Sequence, residues 1–275
     1  MKFSAHPLNR QFAWQPRRVP LRAITEEQAR DYETLGYFVM KQAFDPDTIK
    51  TTTAEIDRIE QQAEMVLRSL HGGKGFIARA SEITFTTHLV KKSPVLRDFC
   101  KSRLFADVGH DLIGPDVRLY WDQAIYKKPN TTAPFPWHQD NGYTFVDPQQ
   151  YVTCWVALTD ADEDNGCLWV LPRVHRQGTL LHKLTDLGYI CFDAMPEGAI
   201  ALPVKAGDMA VFAATTPHFT GANLTQWTRK AYIMQYVPDG ACAITVDDTG
   251  GSTRRIANAA DRQFPVLVDG RYPAE

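Results

Sequence analysis

The stretch "FPWHQDNGY", residues 135–143, places a histidine and an aspartate two positions apart in an aromatic run that leads into a glycine. On an extended strand, side chains alternate between faces, so His138 and Asp140 point one way and Gln139 the other. Two metal-capable side chains on one face make a two-toothed clamp. A His and an Asp at this spacing also arise by chance as a surface pair, so the reading turns on what the rest of the chain sets beside them.

Around this stretch, from residue 116 to 240, the sequence runs in short β-rich segments such as "VRLYWDQAIYK", "YVTCWVALTD", "CLWVLP", "ALPVKAGDMAVFA" and "RKAYIMQYVP", divided by Gly, Pro, Asn and Asp turns. That rhythm predicts a sandwich or barrel. Before it the texture is helical. "ITEEQARDYETLGYFVM" reads as a helix with Thr25 as N-cap and Gly36 as its stop, followed by a short strand at Tyr37 to Met40. A second helix starts at the cap Asp45 with Pro46 in its first turn, carries the apolar stripe Ile49, Ile56, Ile59, Ala63, Val66 and Leu70, and stops at Gly72 and Gly73. A third is expected from Pro94 to Leu112. The fold class is therefore mainly β with flanking α-helices. The expected organisation is one domain over residues 1–275: an N-terminal arm (1–24), a mostly helical outer layer (25–115), a β core with the metal site (116–240) and a C-terminal extension (241–275). Its part from Gly250 onward reads as loop or weakly held chain.

Composition narrows the function. With 44% hydrophobic and 23% charged residues the chain has ordinary globular usage. Its 30 Lys and Arg against 32 Asp and Glu leave a net charge of -2, which gives no electrostatic case for nucleic acid. No apolar run approaches the roughly 20 residues needed to span a bilayer, and residues 1–20 lack the apolar stretch of a secretory signal. The expectation is a cytoplasmic protein with no membrane partner. Five widely spaced cysteines without a CxxC pair argue against a disulfide framework or a thiolate zinc site.

A third metal-capable side chain, His218, follows in "TTPHFTGANLT". Two histidines and one carboxylate can cap one face of an octahedron, as in the facial triad of non-haem Fe(II) oxygenases, leaving the remaining positions open. A zinc hydrolase also uses three protein ligands and a water, so the ligand set alone leaves iron and zinc both open. Arg229, 11 residues beyond His218, separates them. The 1-carboxylate and 2-keto oxygens of 2-oxoglutarate can fill open iron positions, and a guanidinium can hold the far carboxylate bidentately. Taken alone, Arg229 also fits a solvated charge at a strand edge.

The ordered blocks "PWHQD", "DEDNGCLWVLP", "AGDMAVFAATTPHFTGANLT" and then Arg229 on a Tyr-containing strand resemble the phytanoyl-CoA dioxygenase family of Fe(II)- and 2-oxoglutarate-dependent oxygenases, over about residues 25 to 240. The resemblance implies a double-stranded β-helix, a cupin-like jelly roll with helices outside and the metal at its mouth. It implies Fe(II) held by His138, Asp140 and His218, and 2-oxoglutarate held through Arg229, with O2 as second cosubstrate. It further implies Gln123 facing 2-oxoglutarate, Lys128 or its neighbour Lys127 closing the site, Trp155 walling the cosubstrate, and Thr220 donating to the far carboxylate. The last three have a plainer alternative: a solvated lysine pair before a proline turn, a core Trp, a turn-capping Thr.

Two features depart from or refine the pattern. After "NGC" at Asn165 to Cys167, a structural turn, the family usually has Pro-Gly-Ser-His, whereas this chain has Pro172-Arg173-Val174-His175, which points to a different substrate contact there. Related halogenases have a small residue in place of the carboxylate, so Asp140 disfavours halogenation. The expected reaction is hydroxylation of a C-H bond of a small-molecule metabolite, releasing succinate and CO2. Trp137, Tyr143, Phe145, Trp169, Arg173, Arg176 and His182 are the expected pocket residues, with arginines to meet an anionic group. The rival readings are a metal-dependent cupin-like hydrolase or isomerase that does not use 2-oxoglutarate, and a non-catalytic ligand-binding barrel.

Overall fold

The computed structural model of the chain describes residues 3–16, 20–247 and 251–273. Its helices are α1 (Glu26–Leu35), α2 (Pro46–Ser69), α3 (Pro94–Cys100) and α4 (Arg103–Leu112). Thr25 and Gln28 close a reciprocal capping box at the start of α1, satisfying two backbone donors that a helix N-terminus otherwise orphans. Gly36 ends that helix at φ 90, and a Cβ there would lie 2.5 Å from His175 Nδ1 and 2.7 Å from Thr216 Oγ1, so only glycine fits. Helix α2 has the expected cap at Asp45. Its stripe drifts, because Val66 and Leu70 are exposed while Glu64 and Leu67 turn inward. The single helix expected from Pro94 to Leu112 is two, broken at Lys101 and Ser102, whose backbone leaves the helical ladder.

The β half forms two facing sheets. The larger has seven strands in the order β1 (Tyr37–Met40), β11 (Met209–Ala213), β6 (Val152–Ala157), β13 (Arg229–Pro238), β3 (Val117–Lys127) and β16 (Pro265–Leu267), with β2 (Ile83–Thr87) pairing the other end of β3. The smaller runs β10 (Ile200–Leu202), β7 (Leu168–Val170), β12 (His218–Thr220), β4 (Phe135–His138). A ribbon of β15 (Ser252–Ile256), β14 (Cys242–Val246) and β5 (Phe145–Asp147) and a hairpin of β8 (Lys183–Thr185) and β9 (Gly188–Ile190) complete the set. All the named pairings are antiparallel, and the two sheets make the jelly roll. The chain after Gly250 is therefore not loose. Val266 and Leu267 are buried against α4 and the main sheet, a long-range pairing that local composition cannot announce.

Alternation along the strands sorts the core into two layers. On β13, Tyr232, Met234 and Tyr236 pack against Ile56, Phe99 and Phe105 of the helices, while Ala231 and Ile233 face the space between the sheets with Trp155, Leu168 and Phe212. On β3 the odd positions Trp121, Gln123 and Ile125 face that interior space, and a bulge opposite Gln235 and Tyr236 switches the parity so that Leu119 and Val117 join the helix side.

One even position of β3 carries a charge into the helix side. Asp122 is fully buried; its Oδ2 accepts from Tyr232 Oη at 3.0 Å and Val90 N at 3.2 Å, and its Oδ1 has no partner. Burial raises its pKa from 3.8 to about 6. Because the folded state binds this proton more tightly than the unfolded state, the stabilisation is complete below pH 4 and is lost as pH rises through about 6, roughly 3 kcal/mol over the window. Asp122→Asn removes the titration. Urea unfolding at pH 4 and pH 8 is expected to show the variant gaining on the native chain by about that amount at the higher pH. An equal difference at both pH values would refute the assignment.

Candidate active site

The site lies between the sheets, where β4 and β12 meet. His138 and His218 are direct partners in that ladder, and their rings lie 4.0 Å apart between centroids. Gln139 remains extended, at φ -112 and ψ 144, so the alternation carries on to Asp140 although β4 has ended and a 3-10 turn has begun. Gln139 itself turns the other way, donating to the Gly178 and Thr215 carbonyls and accepting from Leu180 N. The ligand-capable atoms of His138, Asp140 and His218 all lie within 4.8 Å of one another, and His218 Nε2 is 3.8 Å from Asp140 Oδ1.

The surroundings fix how each group presents itself. His138 Nδ1 is 2.7 Å from the Pro136 carbonyl and His218 Nδ1 is 3.1 Å from the Thr216 carbonyl. A carbonyl only accepts, so both Nδ1 atoms carry the proton and both Nε2 atoms offer a lone pair. Burial, then the neighbouring His218, holds His138 well below its ordinary pKa; burial takes His218 to about 4. Burial also raises Asp140, opposed by His138 and by hydrogen bonds from Thr153 and Gln235. Two neutral imidazoles and one carboxylate held by two donors are the donor set that an open-faced divalent iron site takes.

The triad opens into a chamber of about 440 Å³ that Gln123, Trp155 and Thr220 also line. Arg229 begins β13 with the same parity as Ile233 and Gln235 of the chamber wall, and its guanidinium carbon lies 5.5 Å from the Trp155 ring centroid. It is 1% exposed, yet Nε, Nη1 and Nη2 have no protein partner. A buried guanidinium with every nitrogen orphaned is costly unless an anion completes it, and burial pulls its pKa down to about 10. Such a guanidinium suits a carboxylate, bidentately.

Other expected residues fall elsewhere. Lys128 does not close the site: its Nζ pairs with Glu60 at 2.6 Å on the helix side, because parity on β3 sends Lys127 inward instead. Of the expected pocket residues only Tyr143 lines the chamber. Trp137 stacks on Phe219 at 5.4 Å behind the site, Phe145 stacks on His6, and Arg176 donates to the Glu33 carbonyl. His182 accepts from Gln139 N at 2.9 Å and so buttresses the turn that carries the triad. His175 is buried against Trp14 with Nε2 at the Glu33 carbonyl, a packing role. Sequence reasoning missed Thr153 and Gln235, which share the parity of Trp155 and Arg229 on their strands, and it missed the outer wall of Phe76, Ile77, Phe85 and Tyr189. Parity would have found the first two; nothing local marks the others.

Comparison with known proteins identifies the family. A phytanoyl-CoA dioxygenase of Arabidopsis thaliana is 22% identical over 263 residues, covering 82% of this chain and 93% of that protein. An ectoine dioxygenase of Bordetella bronchiseptica is 23% identical over 238 residues, covering 78% of this chain and 75% of that one. Among solved structures, the epimerase SnoN in complex with Fe3+, alpha ketoglutarate and nogalamycin RO superposes with a TM-score of 0.69 at 20% identity, over 88% of this chain and 98% of that one. The sequence model of the phytanoyl-CoA dioxygenase family matches residues 32–231, a span that runs from α1 through both metal-capable strands to the start of β13. The chain is thus a dioxygenase that works with iron, 2-oxoglutarate and O2, and it belongs to the phytanoyl-CoA dioxygenase family.

Proposed function

We propose that the protein hydroxylates a C-H bond of a small, locally uncharged molecule, with His138, Asp140 and His218 as the iron ligands and Arg229 and Thr220 as the seat of the distal carboxylate of 2-oxoglutarate. The observation that carries this reading is the orphaned guanidinium of Arg229, buried beside Trp155 of the chamber wall. Bound iron supplies the redox chemistry, in which 2-oxoglutarate, O2 and a C-H bond become succinate, CO2 and an alcohol.

The chain's own residues orient and exclude. The Pro136 and Thr216 carbonyls fix both imidazole tautomers, and Thr153 and Gln235 hold Asp140. Gln123 and Trp155 wall the cosubstrate side. Phe76, Phe85, Trp121, Tyr143 and Tyr189 form an aromatic mouth that keeps water from the reacting carbon. No Lys or Arg lines the chamber among the described residues, so the part of the substrate that reaches the metal carries no carboxylate or phosphate.

The test is 2-oxoglutarate-dependent succinate release with Fe(II) across paired neutral and anionic candidates, each pair differing only in a carboxylate next to the reacting carbon. Release stimulated by the neutral members supports the reading. Stimulation only by the anionic members would overturn the substrate class, and absence of succinate with every candidate and in their absence would overturn the reaction.

A further inference from the structure

We infer that the chamber rim at its Trp121 end is an anion site, formed by Arg255, Arg262 and His88, that takes a phosphate or carboxylate carried by the substrate at a distance from its reacting carbon. The inference deepens the reading of a locally uncharged reacting part given above and rests on it. Tyr120 and Trp121 line the chamber, and three segments from distant parts of the chain meet around them. The turn at residues 261–263 docks on β3 through Gln263 Nε2, which donates to the Tyr120 carbonyl at 3.2 Å. His88, just past β2, sets its ring edge-on to Trp121, 4.3 Å between centroids. On the ribbon, Arg255 of β15 pairs with Ala243 of β14, which pairs with Val146 of β5. Paired positions share a face, so Arg255 stands on the side where Val146 packs in one cluster with Tyr120.

Charge at this rim is unbalanced. Lys91 and Arg262 both pair with Asp261, at 2.6 and 3.1 Å. Arg254, on the other face of β15, is answered by Asp147 at 2.8 Å. Arg255 and Lys92 are exposed, and among the described residues neither has an ion pair. The excess charge acts on the chamber wall. Burial raises the Tyr120 pKa, and Arg255 and Arg262 oppose it; burial, then Arg262 and Lys91, takes His88 to about 4. His88 also holds a left-handed backbone, φ 54 and ψ 46, and its Nδ1 has no partner. An anion seated here would draw a proton onto that ring and give the two guanidinium forks a group to hold bidentately. A cationic rim beside a chamber wall without Lys or Arg fixes the orientation of such a substrate, with its neutral end toward the metal.

The experiment is calorimetric titration of the full chain, loaded with Mn(II) and 2-oxoglutarate under nitrogen, with three probes: 1-octanol, octyl phosphate and nonanoate. Both anions are expected to bind about tenfold or more tighter than octanol, and the ratio between them tells which head group the rim prefers. Arg255→Gln and Arg262→Gln are each expected to reduce that advantage by roughly three- to tenfold with octanol binding unchanged. The first alters an exposed side chain and serves if the second fails to fold. Arg254→Gln, which removes an equal charge from the other face, is expected to leave the advantage intact. Equal binding of the three probes by the native chain, binding of none, or the same loss in Arg254→Gln as in Arg255→Gln overturns the inference and leaves the reading of the reacting end standing. Absence of succinate release by the native chain with every candidate overturns that reading instead, and takes the substrate role of the rim with it.

Discussion

Asp140→Ala is expected to lower 2-oxoglutarate-dependent succinate release by on the order of a thousandfold, about 4 kcal/mol of lost function. The carboxylate is the one anionic member of the donor set, and without it two neutral imidazoles face a divalent ion alone. Unfolding would not be the cause. Asp140 is half-buried and its surroundings raise its pKa, so in the metal-free chain its removal also removes a partly desolvated charge. Thermal melts should therefore show the metal-free variant about as stable as the native chain, with the stabilisation by Mn(II) gone. Thr153→Val, which removes a donor to Asp140, should cost roughly 10- to 100-fold by letting the carboxylate turn. Near-native turnover by Asp140→Ala would mean that the ligand assignment is wrong.

Arg229→Met is expected to raise the KM for 2-oxoglutarate by roughly 100-fold or more, the scale expected when a bidentate guanidinium–carboxylate pair is removed from a dry site. The same substitution should make the cosubstrate-free protein more stable. The guanidinium sits 1% exposed with all three nitrogens unpartnered, and burial takes its pKa to about 10, so the fold carries its charge at a cost that only a bound anion offsets. Binding and stability thus move in opposite directions, as expected where function sets the residue. Differential scanning with and without 2-oxoglutarate reads both: a higher baseline Tm for the variant and no upward shift on adding the cosubstrate. A lower baseline with an intact shift would assign Arg229 to packing.

The parts of this site that were legible in the sequence are those governed by local rules. Alternation placed His138 and Asp140 together, and it held beyond the strand end because Gln139 stays extended. The Thr25 cap and the Gly36 stop follow from chemistry within four residues. Lys127 rather than Lys128 follows from the alternation that sets Gln123 on the inward face of β3, and the pairing with β13, where Arg229 opposes Lys127, agrees. Long-range features left no local trace. The aromatic mouth joins residues 76 and 77 to Tyr189 of the β9 hairpin, and β16 reaches back to β3 from a polar tail. The arginines expected in the pocket failed for a similar reason: Arg176 is spent on the Glu33 carbonyl, a contact set by how α1 docks.

The most direct measurement is an oxygen-free crystal structure of the protein with Mn(II) and 2-oxoglutarate. The account predicts one metal peak bonded to His138 Nε2, His218 Nε2 and an Asp140 oxygen, chelated by the keto-acid end of 2-oxoglutarate, with the other carboxylate hydrogen-bonded to Arg229. A metal bound away from these three side chains, or a cosubstrate whose distal carboxylate leaves the guanidinium unpartnered, would contradict it.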